Sequence, residues 1–239
     1  MIDHDRLFKE LIQTFFWEFI ELFLPDVLEF VSQESLTFLP EEVFTDVTSG
    51  DKRKIDLLAQ VKWKEKDAYF LIHLENQAYN QSEIERRIFH YFARLDIKYL
   101  MPIFPIVIFS YDEPKRPEKS QYSVNFPNHK VLEFNYVAIQ LNRLNWRDFL
   151  TQPNPVAAAL MAKMDFKPEE RVKVKLECLR MLATLQLNPA KMQLISGFVD
   201  TYLRLNQTEE QQFEIELKQA NLIEEEQVME IVTSWMEKG

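Results

Sequence analysis

Glycine is scarce in this chain of 239 residues, which contains only Gly50, Gly197 and Gly239. A P-loop or a dinucleotide-binding fingerprint requires several closely spaced glycines, because the backbone must approach a phosphate group closely. The three glycines are far apart in the sequence, so neither motif is present. We therefore expect no nucleotide cofactor.

Cysteine is almost absent as well. Cys178 is the only one, and it lies in the apolar segment VKLECLRML, a setting typical of a small core residue. A single cysteine forms neither an internal disulfide nor a thiolate metal cage. The chemistry of this protein must therefore come from carboxylates, amides and amines.

Long hydrophobic runs are also missing. The apolar stretch TFFWEFIELFL is interrupted by Glu18 and Glu21 at helical spacing, and the segment before it, MIDHDRLFKE, is acidic. These features predict neither a signal peptide nor a membrane span. Because the sequence shows no export signal and no disulfide, we expect a cytoplasmic protein.

Basic residues are outnumbered, with 28 Lys and Arg against 38 Asp and Glu and a formal net charge of -10. This total disfavours a general nucleic-acid coat protein. The middle of the chain differs, because residues 51–150 carry 16 basic and 13 acidic side chains. That surplus is compatible with phosphate contacts or with a mixed solvated surface. The acidic tail from Glu209 is either a solvated helix face, a shield for the basic middle or a surface for a partner chain, so a homo-oligomer is one of the open possibilities.

Periodicity predicts the order of the elements. An amphipathic helix over 5–24 ends before Pro25, and a turn or helix over 26–32 precedes a short extended link at 36–40. Strands are predicted over 43–48, 54–63 and 68–76, a helix from a capping box at Ser82 to Leu100, a strand over 104–111, a loop over 112–129 and a strand over 131–141. Helices are predicted over 155–165, 168–187, 189–204 and 209–238, the last with a break at Asn221. This order predicts an α/β protein of the α+β type with a mixed sheet in residues 1–152 and a helical extension in 153–239.

Two carboxylates lie in an otherwise apolar predicted hairpin. If Lys64 to Asp67 form the turn, Trp63 opposes Ala68, and Asp56 then opposes Glu75. Side chains alternate along a strand, so Gln77 shares the face of Glu75. Two carboxylates this close repel each other unless a cation lies between them, and Mg²⁺ accepts one or two protein carboxylates.

A structural role for the two acids is the alternative to a Mg²⁺ site. Asp56 and Glu75 would then only cap strand ends, partnered by Arg53, Lys54 or Arg87. Pattern alone leaves both interpretations open.

Five sequence blocks resemble a known family. Asp56, the hairpin and Glu75-Asn76-Gln77 are similar to the PD-(D/E)XK nuclease signature, with glutamine in place of its lysine. The wider pattern resembles the recombination-promoting nuclease (Rpn) and transposase-like family, through the blocks DRLFK, LTFLPEEVFTD, KIDLLAQVKW, YFLIHLENQ and ERRIFHYFARL. The resemblance covers about residues 3–150 and leaves the C-terminal third outside any family motif.

The resemblance implies a restriction-endonuclease-like αβββαβ core and metal-dependent hydrolysis of DNA. Asp56 and Glu75 would hold Mg²⁺ or Mn²⁺, Gln77 would occupy the third signature position, and Glu10 matches an acid that the first helix of the family often supplies. Glutamine orients a water or a phosphate but carries no positive charge. Gln77→Lys is therefore expected to preserve or raise activity if the side chain at this position reaches the scissile phosphate.

Four residues are candidates for DNA contact: Lys9, Lys54, Arg87 and Tyr91. A purely structural role is the alternative for each of them, because surface lysines are usually solvated and Arg87 and Tyr91 are also spaced as a helix surface pair. His73 shares the face of Glu75 and is either a hydrogen-bonded core residue or a ligand.

Three functions are compatible with these features. The first is a metal-dependent DNA endonuclease with little sequence preference, since no DNA-recognition motif is readable. The second is a degenerate nuclease fold that acts as a nucleic-acid or protein interaction module. The third is an α/β structural protein in which the hairpin carboxylates have no ligand.

Overall fold

The structure is a computed structural model, which describes residues 4–40, 43–45, 52–218, 228–229 and 231. Its helices are α1 His4–Thr14, α2 Phe16–Phe23, α3 Pro25–Phe30, α4 Ile84–Tyr99, α5 Pro155–Leu160, α6 Arg171–Thr184, α7 Pro189–Tyr202 and α8 Gln207–Lys218. Its strands are β1 Val31–Phe38, β2 Val43–Thr45, β3 Lys52–Lys54, β4 Leu57–Trp63, β5 Tyr69–Gln77, β6 Ile103–Phe109, β7 Gln121–Phe126, β8 His129–Asn135 and β9 Val137–Gln140. Within these residues, no helix has the length and apolar character needed to cross a membrane.

The chain divides into two compact units. The first comprises Met1–Lys9 and Phe23–Gln140, and the second comprises Glu10–Leu22 and Leu141–Gly239. The division therefore runs through α1 after Lys9, through α2 before Phe23, and between β9 and Leu141. The domain boundary that we expect near residue 152 stays a prediction.

The first unit is built on a mixed sheet of five strands in the order β1-β4-β5-β6-β9. β1 with β4 and β4 with β5 are antiparallel, whereas β5 with β6 and β6 with β9 are parallel. The pairs β2-β3 and β7-β8 form separate two-stranded sheets. The predicted α/β class with a mixed sheet is confirmed, whereas the specific nuclease core stays a prediction.

The β4-β5 hairpin has the predicted register. Leu57 pairs with Leu74 and Lys62 pairs with Tyr69, while the N–H of Trp63 donates to the carbonyl of Ala68 at 3.0 Å. β5 lies between β4 and β6, and from Phe70 onward it is buried throughout. The central position of β5 brings its polar C-terminal residues into a buried environment.

Helix α4 covers the face of the sheet that carries the site. Its residues Ile84 and Ile88 pack in one cluster with Val107 and Phe109 of β6. Farther along the helix, Leu95 packs in a second cluster with Leu58 of β4 and Leu71 of β5. These contacts hold α4 against the hairpin, and its first turn lies near the end of β5.

Two predicted elements of the N-terminal region differ from the structure. The helix over 5–24 is divided into α1 and α2 at Phe15, although the hydrogen bonds from Phe15 to Leu11 and from Phe19 to Phe15 continue across the division. The segment 31–38, for which we expect part of a helix and an extended link, is the edge strand β1. Its polar sequence carries no clear strand pattern, and β4 supplies the hydrogen-bond partners.

Three further predictions on strands are corrected. The strand over 54–63 is divided at residues 55–56 into β3 and β4, so Asp56 lies at a bend immediately before β4. The loop over 112–129 contains β7, which pairs with β8. The strand over 131–141 is divided at Tyr136, which separates β8 from β9. Part of the predicted strand 43–48 lies outside the described residues.

The predicted capping box at Ser82 is wrong. Helix α4 begins at Ile84, and Glu83 precedes it in the left-handed conformation with a φ of 57°. The carboxylate of Glu85 binds Lys119 Nζ at 2.6 Å instead of capping the helix. A tertiary ion pair therefore replaces the local hydrogen bond.

The helical character of residues 155–218 is confirmed. Asn154 caps α5 by accepting hydrogen bonds from Val156 and Ala157, and Asn188 caps α7 by accepting one from Lys191. Proline at the first position of each helix reinforces the start, because its fixed φ suits a helix and it lacks an N–H that would need a partner. The predicted break at Asn221 lies outside the described residues.

Candidate functional site: a carboxylate pair and an arginine held by glutamines

Asp56 and Glu75 lie side by side at the open end of the β4-β5 hairpin. The main-chain N–H of Asp56 donates to Oε1 of Glu75 at 3.3 Å. In return, the main-chain N–H of Asn76 donates to Oδ2 of Asp56 at 2.7 Å. The two hydrogen bonds extend the hairpin beyond its last strand pair and fix both carboxylates through the backbone.

A histidine holds Glu75 from its own strand. Nε2 of His73 lies 2.9 Å from Oε1 of Glu75, and the two residues are 0% and 3% exposed. The His73 ring also packs edge-on to Tyr91 of α4, with ring centroids 6.0 Å apart. Nδ1 of His73 is buried and has no hydrogen-bond partner among the described residues. Of the two roles left open by the sequence, the structure places His73 as a buried partner of Glu75.

The electrostatics of Asp56 follow from its surroundings. The pKa of Asp56 is raised to about 8, mainly by burial and next by the neighbouring charge of Glu75. The hydrogen bond from Asn76 and the charge of Lys9 act in the opposite direction, and the charge of Asp5 again raises the pKa. The raised pKa means that the folded protein favours the neutral form of this carboxyl group more strongly than water does.

Gln77 contacts an arginine. Its Oε1 accepts a hydrogen bond from Nη2 of Arg87, and Oε1 of Gln81 accepts one from Nη1 of the same guanidinium group. Gln77 is 6% exposed, and its Nε2 donates to the carbonyl of Asn76 at 3.2 Å. The third signature position and one candidate for DNA contact are therefore directly linked.

The other candidates have different environments. Tyr91 is 4% exposed and belongs to the core cluster under α4, so the expectation that it lies on the helix surface is corrected. Lys9 is partly buried and lies close enough to Asp56 to lower the pKa of that carboxyl. Glu10 is exposed on α1 and belongs to the second unit, and its role as a catalytic acid stays a prediction. The main chain of Lys54 pairs with Val43, whereas its side chain lies outside the described part of the structure.

Two residues of the site were not identified from the sequence. Asn76 contributes its main-chain N–H, and its side-chain amide is buried with no hydrogen-bond partner among the residues described. Gln81 helps to hold Arg87 from the segment between β5 and α4. No periodic pattern predicts side-chain direction in such a segment, so the sequence contains no signal for this contact.

The carboxylate pair fits a hard divalent cation. Mg²⁺ takes one or two protein carboxylates and completes its coordination with water or phosphate oxygen. Oδ1 of Asp56 and Oε2 of Glu75 accept no hydrogen bond within the described residues, so each acid keeps one oxygen for a ligand. In the same part of the chain, no group of three or more His, Cys, Asp or Glu residues could hold a metal ion. A site formed by this hairpin would therefore depend on two protein ligands.

Comparisons of the chain with protein-family models, with curated proteins and with solved structures found no match. The resemblance to the PD-(D/E)XK and Rpn families therefore stays a prediction.

Proposed function

We propose that this protein is a metal-dependent DNA endonuclease of the PD-(D/E)XK class, related to the recombination-promoting and transposase-like nucleases, in which Asp56 and Glu75 bind Mg²⁺ or Mn²⁺. The observation that carries the proposal is the paired arrangement of these two carboxylates, each fixed by a main-chain N–H and each with one oxygen outside those hydrogen bonds. The sequence resemblance of residues 3–150 supports the same activity.

Hydrogen bonds within the chain would orient the two carboxylates before a cation binds. The N–H of Asn76 orients Asp56, while His73 and the N–H of Asp56 orient Glu75. Because these contacts are made in the folded protein, little reorganisation is needed when a cation binds. Lys9 adds positive charge near Asp56.

A bound Mg²⁺ or Mn²⁺ would polarise a phosphate oxygen and lower the pKa of a bound water, which is the chemistry that phosphodiester hydrolysis requires. Asp56 and Glu75 would contribute the ligands. A neutral asparagine or glutamine at either position keeps the shape of the side chain but removes the charge that attracts the cation.

Nicking of supercoiled plasmid tests the proposal. The wild type is expected to nick DNA with Mg²⁺ or Mn²⁺ and not with EDTA, whereas Asp56→Asn and Glu75→Gln are expected to be inactive with either ion. Asp67→Asn is the matched control, because Asp67 is an exposed aspartate in the turn of the same hairpin and pairs with Lys62. This variant should retain wild-type activity.

Two outcomes would overturn the proposal. Equal cleavage by the wild type and Asp56→Asn would show that the activity belongs to a contaminant. Binding of DNA by the wild type with no nicking under either ion would favour the interaction module on a degenerate nuclease fold.

A further inference from the structure

Arg87 is held by amides rather than by acids. Its guanidinium group donates to the side-chain oxygens of Gln77 and Gln81. No Asp or Glu of the described residues forms an ion pair with it, whereas Arg147, Arg171 and Arg180 each pair with a glutamate. An amide oxygen accepts a hydrogen bond but carries no net charge, so the positive charge of Arg87 is not neutralised.

The hydrogen-bonding capacity of Arg87 is only partly used. A guanidinium group has five N–H donors and stays protonated at any ordinary pH. Two of these donors reach the glutamines, and the buried Nε has no partner in the part of the chain that the structure describes. The group therefore keeps both charge and donors for an anion.

The contact with Gln77 places the charge of Arg87 at the end of β5, two residues along the strand from Glu75. Gln77 follows Glu75 by two residues on β5, and side chains with that spacing share a face and lie about 6.6 Å apart. Arg87 lies in the first turn of α4, the helix that covers this face. The cation is thus held at the end of the strand that supplies Glu75.

We propose that Arg87 supplies the positive charge that glutamine at position 77 lacks, and that it binds a phosphate of the DNA backbone while Gln77 positions it. The proposal rests on the proposed function for the choice of DNA as the ligand. Guanidinium groups bind phosphate through paired hydrogen bonds, which makes arginine well suited to this role. Gln77 is then a positioning residue and not a group that contacts the substrate.

This assignment reverses the effect expected from lysine at position 77. In the family signature, lysine carries the charge itself. Here a lysine would replace the acceptor of Arg87 with a second cation, and the two like charges would repel each other. Gln77→Lys should therefore weaken the site rather than restore it.

DNA binding without metal provides the first test. The probe is a fluorescently labelled 20-base-pair duplex, about two helical turns in length, and its anisotropy is measured in EDTA over a series of NaCl concentrations. Arg87→Gln is expected to raise the Kd roughly 5- to 10-fold and to lower the slope of log K against log salt by about 1, as for the loss of one phosphate contact. Arg86→Gln is the matched control, because Arg86 is exposed on the same helix and its replacement removes the same charge.

Exchange of the two side chains provides the second test. Gln77→Lys is expected to weaken duplex binding. The double variant Gln77→Lys with Arg87→Gln is expected to bind better than Arg87→Gln alone. In the double variant the lysine at position 77 supplies the positive charge, and the glutamine at position 87 supplies an amide to hold it. Thermal melting verifies that each variant is folded. If Gln77→Lys does not fold, Gln77→Met removes the acceptor without adding charge and should weaken binding through the loss of the positioning contact alone.

Four results would overturn the inference. The first is an equal rise in Kd for Arg87→Gln and Arg86→Gln, and the second is duplex binding by Gln77→Lys at or above the wild-type level. The third is a double variant that binds duplex no more tightly than Arg87→Gln, and the fourth is a wild type that does not bind duplex. Stabilisation by inorganic phosphate without duplex binding would likewise overturn the assignment to DNA. Because these measurements are made in EDTA, they separate the role of Arg87 from the proposed nuclease activity, which the plasmid assay tests independently.

Discussion

The main-chain N–H of Asn76 donates to Oδ2 of Asp56 at 2.7 Å, and this contact links the bend before β4 to the end of β5. It orients Asp56 toward β5, where the adjacent residue Glu75 is almost fully buried. A carboxylate in such a place is stabilised by a backbone dipole but destabilised by burial and by its acidic neighbour.

A divalent cation should stabilise the folded protein. Binding to the native state alone raises the free energy of unfolding, and a cation also relieves the repulsion between Asp56 and Glu75. We expect a rise in the melting temperature of the wild type with Mg²⁺ or Mn²⁺, and a much smaller rise in Asp56→Asn. Asp67→Asn is the control and should respond as the wild type does. An equal rise in Asp56→Asn would place the bound ion elsewhere.

Stability without metal should depend on pH through Asp56. The pKa of this carboxyl is raised from 3.8 to about 8 in the folded protein, so the native state binds its proton more tightly than the unfolded state does. The resulting stabilisation is fully present below pH 3.8 and is lost as the pH rises through about 8. The amide introduced by Asp56→Asn cannot titrate, so this variant should be more stable than the wild type at high pH.

Urea unfolding in EDTA measures this difference. At pH 8.5, Asp56→Asn should exceed the wild type by about 1–3 kcal/mol in the free energy of unfolding, since one pKa unit corresponds to about 1.4 kcal/mol and partial exposure screens the effect. At pH 5 the gap should be clearly smaller. A gap that does not change with pH would contradict the raised pKa.

His73 should support both stability and metal binding. His73→Phe removes the donor to Glu75 and leaves a buried carboxylate without that partner. We expect a loss of about 1–3 kcal/mol in the free energy of unfolding and a metal affinity about 10–100-fold weaker. His73→Gln keeps a donor and should lose less. His90→Phe, at an exposed histidine of α4, is the control, and an effect as large as that of His73→Phe would refute the assigned contact.

The packing under the hairpin should contribute strongly to stability. Leu71 is 0% exposed and belongs to the cluster that joins β4, β5 and α4. Leu71→Ala should lower the free energy of unfolding by about 2–5 kcal/mol, measured by chemical denaturation. Ile97→Ala, at a position of α4 that is 76% exposed, should change it by less than about 0.5 kcal/mol. Similar losses for the two variants would contradict the described packing of α4.

Local patterns were sufficient to predict the hairpin. A polar turn at Lys64 to Asp67 between two apolar segments determines the register, and alternation along β5 then determines which side chains share a face with Glu75. Proline in the first turn similarly predicted the starts of α5 and α7. These features depend on residues close together in the sequence, which is why they could be predicted without the tertiary structure.

Other features arise only when distant segments meet. β1 and β7 are polar strands whose hydrogen-bond partners, β4 and β8, are not specified by any pattern within the strands themselves. The expected cap of α4 was replaced by the ion pair between Glu85 and Lys119, which are 34 residues apart.

The environment of Arg87 shows most clearly which features local sequence predicts and which arise only from tertiary contacts. The sequence identifies Arg87 as a helix residue near the acids, and it identifies the glutamine that stands in the position of a lysine. Their contact forms only because α4 packs against β5 and brings its first turn beside the end of that strand. Composition and alternation therefore determined the carboxylate pair, whereas tertiary packing decided that Arg87 contacts Gln77, because the direction of a long side chain depends on the surfaces that surround it.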